Sequence, residues 1–179
     1  MSHRHSRRKF LQSAPILISA LSRPGLAFAE DPVCRRLRFE QIHTHETLDV
    51  CYYELGQYLP DALAEINHLM RDFRTRESKP IDVQLLDQLA ELYQATESSG
   101  VFQIISAYRS PATNEQLRNT RTGIEEHSLH MEGRAIDVRL TDVPTQTLNA
   151  AALSLQRGGV GYYAVSNFVH LDTGPVRSW

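Results

Sequence analysis

The segment from Ser128 to Asp137 constrains this chain most, because it places an imidazole and a carboxylate seven residues apart around a glycine. His130 stands just before Gly133, and Asp137 follows in the apolar–polar alternation of a strand. A third metal-binding side chain, His170, occurs late in the chain. Two imidazoles and one carboxylate make a three-ligand zinc site with a fourth position open to water. The pattern therefore predicts a zinc hydrolase.

Three further side chains flank these ligands in the sequence. His127 and Ser128 come just before the first ligand, where groups that orient a metal ligand belong. Asp172 stands two residues after His170, and alternate side chains of a strand point to the same face. We therefore expect one metal ion to be influenced by both His170 and Asp172.

The first 29 residues are typical of an export signal. Arg7 and Arg8 form a twin arginine, a short apolar stretch follows, and Ala27–Ala29 matches a cleavage site. The apolar stretch is too short to span a bilayer. We expect a twin-arginine signal peptide at 1–29, a single zinc hydrolase domain at 30–179, and delivery of the folded protein to the periplasm by the Tat translocase.

Removal of this signal changes the charge balance of the chain. Residues 30–179 contain 14 Lys+Arg against 21 Asp+Glu, a formal charge of −7. An acidic domain is a poor match for nucleic acid, which attracts basic surfaces, so no nucleic-acid partner is expected. The mature chain also has no expected membrane span, and its length suits one compact domain.

The chain has only two cysteines, Cys34 and Cys51, too few for a cysteine zinc cluster or a disulfide scaffold. An oxidising compartment permits a bridge between them. However, a tight hairpin turning at residues 44–46 would leave them about five residues out of register. The sequence leaves the pairing open.

Apolar periodicity predicts three helices and six strands, and a fourth, short polar helix is predicted at 114–121. The helices begin at Pro60, after an Asp82 N-cap, at Asn114 and at Pro144; the apolar stripe of the first one reaches Phe73. The strands cover two stretches within 35–54 and then 101–107, 134–140, 160–163 and 168–171. This order favours an α+β fold over a parallel βαβ sheet. His43 and His45 fall in the first predicted turn and are interpreted as solvated residues.

Several motifs together resemble a known family. Ser-x-His-x-x-Gly-x-Ala-x-Asp, over 128–137, resembles the zinc motif of the D-alanyl-D-alanine metallopeptidases, a superfamily that includes lysostaphin-type enzymes and the hedgehog domain. Nearly the whole mature chain is more similar still to one branch, the MepK-like murein endopeptidases. This likeness rests on SAYRSPATN at 106–114, HSLH at 127–130, GGVGYY at 158–163 and VHLDTG at 169–174, and on the twin-arginine leader.

The resemblance implies a hedgehog/D-Ala-D-Ala peptidase-like fold, with a small antiparallel sheet and flanking helices. It also implies a Zn²⁺ ion held by His130, Asp137 and His170, and hydrolysis of cross-links between peptidoglycan stem peptides. Arg109 matches an arginine that binds the carbonyl oxygen or a carboxylate of the substrate, and a guanidinium suits that role because it stays charged. Ser128 is expected near the same substrate.

One position departs from the better-known relatives, which have an Asp or Glu general base three residues before the last zinc histidine. That position is Asn167, which cannot accept a proton from water. Asp172 and His127 remain as candidate bases. Two alternatives stay open: a D,D- or L,D-carboxypeptidase or dipeptidase acting on the same stems, and a non-catalytic peptidoglycan-binding module. The sequence does not decide between DD and LD cross-links, and it does not indicate the oligomeric state.

Overall fold

The computed structural model describes residues 34–120 and 123–179, which fall within one compact unit. The predicted signal peptide and its cleavage site lie outside the described residues, so those two assignments remain predictions. Within the described ranges, no helix has the length and apolar character needed to cross a membrane.

Eight strands form one mixed sheet in the order β3-β2-β1-β4-β5-β7-β6-β8. The strands are β1 Cys34–Gln41, β2 Thr47–Glu54, β3 Gln57–Tyr58, β4 Phe102–Ser106, β5 Ala135–Leu140, β6 Gly159–Tyr163, β7 Phe168–Asp172 and β8 Arg177–Ser178. The α+β prediction is confirmed. The prediction of a small antiparallel sheet is wrong. The sheet is mixed, because β1 pairs with β4 and β6 pairs with β8 in parallel, and it is large, because the β1–β4 pairing joins the N-terminal hairpin to the later strands.

The described ranges contain four α-helices: α1 Pro60–Leu69, α2 Val83–Ala95, α3 Pro111–Thr120 and α4 Thr145–Leu155. Of these, α1, α2 and α4 pack against the sheet. Asp82 caps α2 by accepting a hydrogen bond from the Gln84 backbone N–H at 3.0 Å. The leucine stripe of α2 is fully buried against the sheet, because its side chains recur at helical spacing: Leu85, Leu86, Leu89 and Leu92. Helices and strands therefore share one hydrophobic core.

The first helix ends at Leu69, four residues before the end of the predicted apolar stripe. Phe73 lies beyond the helix, and its ring stacks on the imidazole of His43 with 4.3 Å between centroids. Phe73 is partly buried although it lies outside the helix, so it extends the apolar spacing past the helix end. Periodicity reports burial and does not mark the point where helical hydrogen bonding stops.

A disulfide joins Cys34 and Cys51, whose Cα atoms are 5.9 Å apart. The hairpin turns earlier than predicted, and Arg36 is the residue opposite Cys51. A register shift between Arg35 and Arg36 places Cys34 opposite Glu54, so the bridge runs diagonally across the hairpin. The structure thus answers the question that the sequence left open.

Candidate active site

A row of side chains crosses the sheet at the end of β4. Ser106, Asp137, His170 and Gly161 are consecutive cross-strand partners on β4, β5, β7 and β6. Directly opposed residues project to the same face of a sheet. Asp137 and His170, which are 33 residues apart in the sequence, therefore meet on one face.

The third candidate ligand, His130, reaches this face from a short 3₁₀ helix, Leu129–Glu132. The Ser128 hydroxyl begins that helix by accepting from the His130 N–H. Gly133 ends it with a φ of 72°, a conformation that glycine adopts without strain. A Cβ atom at this glycine would lie 2.4 Å from the Pro80 carbonyl oxygen, so this close approach also requires glycine.

The three predicted ligands come together. One ligand atom from each of His130, Asp137 and His170 lies within 4.8 Å of the other two. His130 and Asp137 are almost completely buried. This set of two imidazole nitrogens and one carboxylate oxygen fits a catalytic zinc ion.

Each imidazole is oriented by a second contact. His130 Nδ1 lies 2.8 Å from the Ala107 carbonyl oxygen, so it donates there and turns Nε2 towards Asp137 Oδ1 at 3.5 Å. His170 has the opposite orientation, with Nδ1 2.8 Å from Asp137 Oδ1 and Nε2 3.1 Å from Asp172 Oδ2. An outer hydrogen bond of this kind selects the ring nitrogen that faces a metal. The geometry offers Nε2 of His130 and Nδ1 of His170.

Asp172 is fully buried and receives hydrogen bonds from several directions. Its Oδ1 accepts from the backbone N–H groups of Gly159 and Gly174, at 3.0 and 2.8 Å. The Arg177 guanidinium binds both carboxylate oxygens, at 3.1 and 2.8 Å. Burial opposes its ionisation, but His170, Arg177 and the two backbone groups outweigh burial and hold the pKa of Asp172 well below its usual value.

The ligand cluster is strongly coupled in charge. Burial raises the pKa of Asp137, but the charges and hydrogen bonds of His130 and His170 outweigh this effect and keep that pKa well below normal. Burial lowers the pKa of His170, whereas its bonds to Asp137 and Asp172 raise it to about 9 in the absence of metal. The two carboxylates thus favour a positive charge at this position, which a metal ion would satisfy.

A glycine in β6 allows Arg177 to reach Asp172 across the sheet. Gly159 is the β6 partner of Arg177, and it also donates its N–H to Asp172. A Cβ atom on Gly159 would lie 2.4 Å from Asp172 Oδ2 and 2.5 Å from Arg177 Nη1. Any side chain here would enter the space that the ion pair occupies.

A second glycine in β6, Gly161, leaves space for the side chain of Trp179. Gly161 lies opposite His170, and the indole of Trp179 covers it from the β8 side. The rings of Trp179 and His170 have centroids 5.2 Å apart, and the indole N–H donates to the Tyr163 hydroxyl at 3.0 Å. The missing side chain of Gly161 therefore lets an aromatic ring lie beside the candidate ligand.

We predict that Gly161→Ala displaces the indole of Trp179, because the new Cβ atom would lie 2.7 to 2.8 Å from three of its atoms. Trp179 is the single tryptophan of the chain, so its fluorescence reports this change directly. We expect a red-shifted emission maximum and increased quenching by acrylamide, with the zinc content unchanged. Val165→Ala is the control, because Val165 is a fully exposed residue between β6 and β7 whose truncation should leave the indole in place. Identical emission from the two variants and the wild type would contradict this packing.

The ligand cluster lines an open cleft of about 790 Å³. Arg109 also lines it; this side chain is largely buried and donates to Asn114 Oδ1 at 3.1 Å. The Asn114 amide in turn donates to the Glu125 carbonyl at 3.0 Å, which ties α3 to the segment before His130. The cleft also has basic and aromatic lining residues that the sequence analysis did not assign to the site: His43, Arg74, Arg177, Tyr163, Phe168 and Trp179.

The remaining predicted site residues are divided between the cleft and the surface. Ser128 and Asp172 line the cleft. His127 is exposed and does not occur among the described lining residues. Asn167, at the position of the usual base, accepts a hydrogen bond from the Thr145 hydroxyl at 2.8 Å. His43 was interpreted as a solvated residue and is exposed, but it also lines the cleft, and no local signal in its turn indicated that position.

Comparison with known proteins gives the same family over nearly the whole chain. The family model for peptidoglycan L,D-endopeptidase MepK matches residues 29–179. Peptidoglycan L,D-endopeptidase MepK of Escherichia coli (strain K12) is 39% identical over 176 residues, which cover 97% of each chain. The probable peptidoglycan L,D-endopeptidase MepK of Haemophilus influenzae is 37% identical over 180 residues, covering 97% of this chain and 95% of the relative. No solved structure matches. This chain belongs to the MepK family of M15-type peptidases.

Proposed function

We propose that this protein is a periplasmic, zinc-dependent peptidoglycan endopeptidase that hydrolyses L,D cross-links between stem peptides. The observation that carries the proposal is the three-ligand cluster of His130, Asp137 and His170 on the floor of an open cleft. The names of the relatives supply the substrate and the L,D bond type. Family membership also supports a hedgehog/D-Ala-D-Ala peptidase-like arrangement of the α+β fold.

The residues present fit zinc in number, chemistry and orientation. His130 would bind through Nε2 because its Nδ1 is engaged by the Ala107 carbonyl. His170 would bind through Nδ1 because its Nε2 faces Asp172. Bound there, zinc would lower the pKa of a water molecule and polarise the scissile carbonyl.

Arg109 is the side chain that we assign to the substrate. Its guanidinium lines the cleft, is largely buried, and is positioned by Asn114. A buried guanidinium donates hydrogen bonds in a fixed planar arrangement, which suits a carbonyl oxygen that gains negative charge or a carboxylate beside the scissile bond. Ser128 lines the same cleft and is assigned to hold the turn that carries His130, with the substrate nearby.

The candidates for the general base differ in whether their proton-accepting atoms are already engaged by hydrogen bonds. Both oxygens of Asp172 are engaged by hydrogen bonds, and the carboxylate is fully buried, so we propose that Asp172 orients His170 instead of accepting the proton. The cleft-lining carboxylates are Glu125, Asp137 and Asp172. Glu125 is exposed and has no assigned role as a ligand or a ligand partner, so it joins His127 as a candidate proton acceptor.

Digestion of purified sacculi, with and without a chelator, tests the proposal. We expect the zinc-loaded protein to remove cross-linked muropeptides, and to act on synthetic dimers with an L,D cross-link but not on matched D,D dimers. Shortened monomers with intact dimers would identify a carboxypeptidase. Unchanged sacculi together with binding of the protein to them would identify a non-catalytic binding module.

Export by the twin-arginine pathway is a separate proposal, motivated by Arg7, Arg8 and the Ala27–Ala29 pattern. We predict that Arg7→Lys with Arg8→Lys leaves the protein in the cytoplasm, because the translocase recognises the paired guanidinium groups. Cell fractionation with immunoblotting measures this. Periplasmic protein of the processed size from the double variant would rule out this export route.

A further inference from the structure

A stack of three side chains stands at the cleft edge near β4. His43 stacks on Phe73, and the guanidinium of Arg74 lies over the Phe73 ring at 4.1 Å from its centroid. His43 Nε2 lies 3.1 Å from the Ile105 carbonyl oxygen, which fixes the stack to β4. His43, Arg74 and Ile105 all line the cleft. Arg74 is therefore held at the cleft by an aromatic surface.

Within the part of the chain that the structure describes, the guanidinium of Arg74 has no carboxylate partner. Across residues 34–120 and 123–179, its contact is the Phe73 ring, and no carboxylate pairs with it. The neighbouring Asp72 is buried, and its carboxylate is engaged by the Ser110 N–H and hydroxyl at 2.9 and 2.8 Å. Asp72 also accepts from the Arg74 backbone N–H at 3.0 Å, so it positions the backbone of Arg74 and leaves the side-chain charge uncompensated.

This cation lies on the opposite side of the ligand cluster from the aromatic residues. The stack is attached to β4, whereas Tyr163 and Phe168 belong to β6 and β7 and Trp179 follows β8. The sheet order β4-β5-β7-β6 separates β4 from β6 by three strand spacings, or about 14 Å. A substrate that spans the cluster therefore meets Arg74 on one side and, on the other, three aromatic rings beside an arginine, Arg177, that is already paired with Asp172.

We propose that Arg74 binds a free carboxylate of the stem peptide and thereby selects the acid form of the substrate over the amidated form. This inference rests on the proposed function for the identity of the substrate. A guanidinium pre-oriented on a ring forms paired hydrogen bonds to a carboxylate at little cost in side-chain entropy. Stem peptides carry such carboxylates on the glutamate and on the diamino acid, and an amide at either position would remove the charge.

The test is binding of an uncross-linked stem tripeptide to the zinc-loaded protein, measured by calorimetry. Three probes are compared: the free acid, the peptide amidated at the glutamate, and the peptide amidated at the diamino acid. We expect Arg74→Gln to weaken binding of the free acid by about tenfold or more. The affinity for the probe that lacks the recognised carboxylate should be the same in Arg74→Gln and in the wild type. Arg74→Lys, which keeps the charge without the planar fork, should give an intermediate loss.

Arg76→Gln is the matched control, because it removes one positive charge from the same exposed loop at a position outside the described cleft lining. Equal losses in Arg74→Gln and Arg76→Gln, or equal losses for acid and amidated probes, would overturn the inference. Circular dichroism and zinc content confirm that each variant is folded. The binding assay does not depend on cleavage. If the wild-type protein binds the acid probe more tightly than the amidated probe but leaves sacculi intact, the Arg74 inference stands and only the endopeptidase proposal is contradicted.

Discussion

Replacing His130, Asp137 or His170 with alanine is expected to reduce bound zinc from about one ion per chain to almost none, and to abolish cleavage of peptidoglycan. Each substitution removes one of three protein ligands, and no other His, Cys, Asp or Glu group of comparable geometry is found in the described residues. The loss of zinc affinity should exceed the roughly 100-fold upper range seen for second-sphere changes.

Zinc content is measured by elemental analysis after dialysis, and activity by release of muropeptides from sacculi. His68→Ala is the control, because His68 is an exposed histidine on α1 whose removal should change neither quantity. Full zinc occupancy in all three ligand variants would remove the metal centre from the proposal. Loss of zinc with unchanged cleavage would instead separate the metal from the reaction.

Asp172→Asn is expected to weaken zinc binding by about 10- to 100-fold and to lower activity in parallel. The substitution removes the negative charge beside His170 Nε2 and leaves the Arg177 guanidinium without its carboxylate. Arg177→Gln should act in the same direction with a smaller effect, because the two backbone N–H groups still hold Asp172. Zinc titration against a competing chelator measures the affinity, and assays at saturating zinc separate affinity from rate.

The alternative role for Asp172 gives a different result. A general base changed to its amide would keep its zinc affinity and lose on the order of 10²-fold or more in rate at saturating zinc. That outcome for Asp172→Asn would restore the proton-accepting role to Asp172. The same assay on Glu125→Gln and His127→Ala identifies the acceptor as the variant that is loaded with zinc but inactive.

Local sequence predicted most of the helices and strands, and together with the family resemblance it predicted the candidate ligand set. His130 and Asp137 were predicted from their spacing around a glycine, and His170 from its late position and the family resemblance; the structure brings their ligand atoms together. Such patterns are readable because a turn or a strand is specified over a few residues. The two-residue strands β3 and β8 were not predicted, since two residues are too few to show a period.

Long-range pairing was not readable in the same way. The parallel pairing of β1 with β4 enlarges the sheet, and it depends on contacts between segments about 60 residues apart. The Cys34–Cys51 bridge depends on the true turn position, which lies earlier than the sequence predicted. Neither feature leaves a periodic signal in the local sequence.

The sequence by itself determined which side chains are candidate metal ligands, because ligand chemistry belongs to the side chain and short-range spacing sets the face on which it projects. Only the tertiary structure decided what surrounds those groups. Asp172 shares a strand face with His170, as alternation required, yet its hydrogen bonds to Arg177 and to two backbone N–H groups make it an orienting residue in our proposal. Those donors come from β6, from β8 and from the turn after β7. Which strands lie beside Asp172 is set by the register of the sheet, and no single segment of the sequence encodes that register.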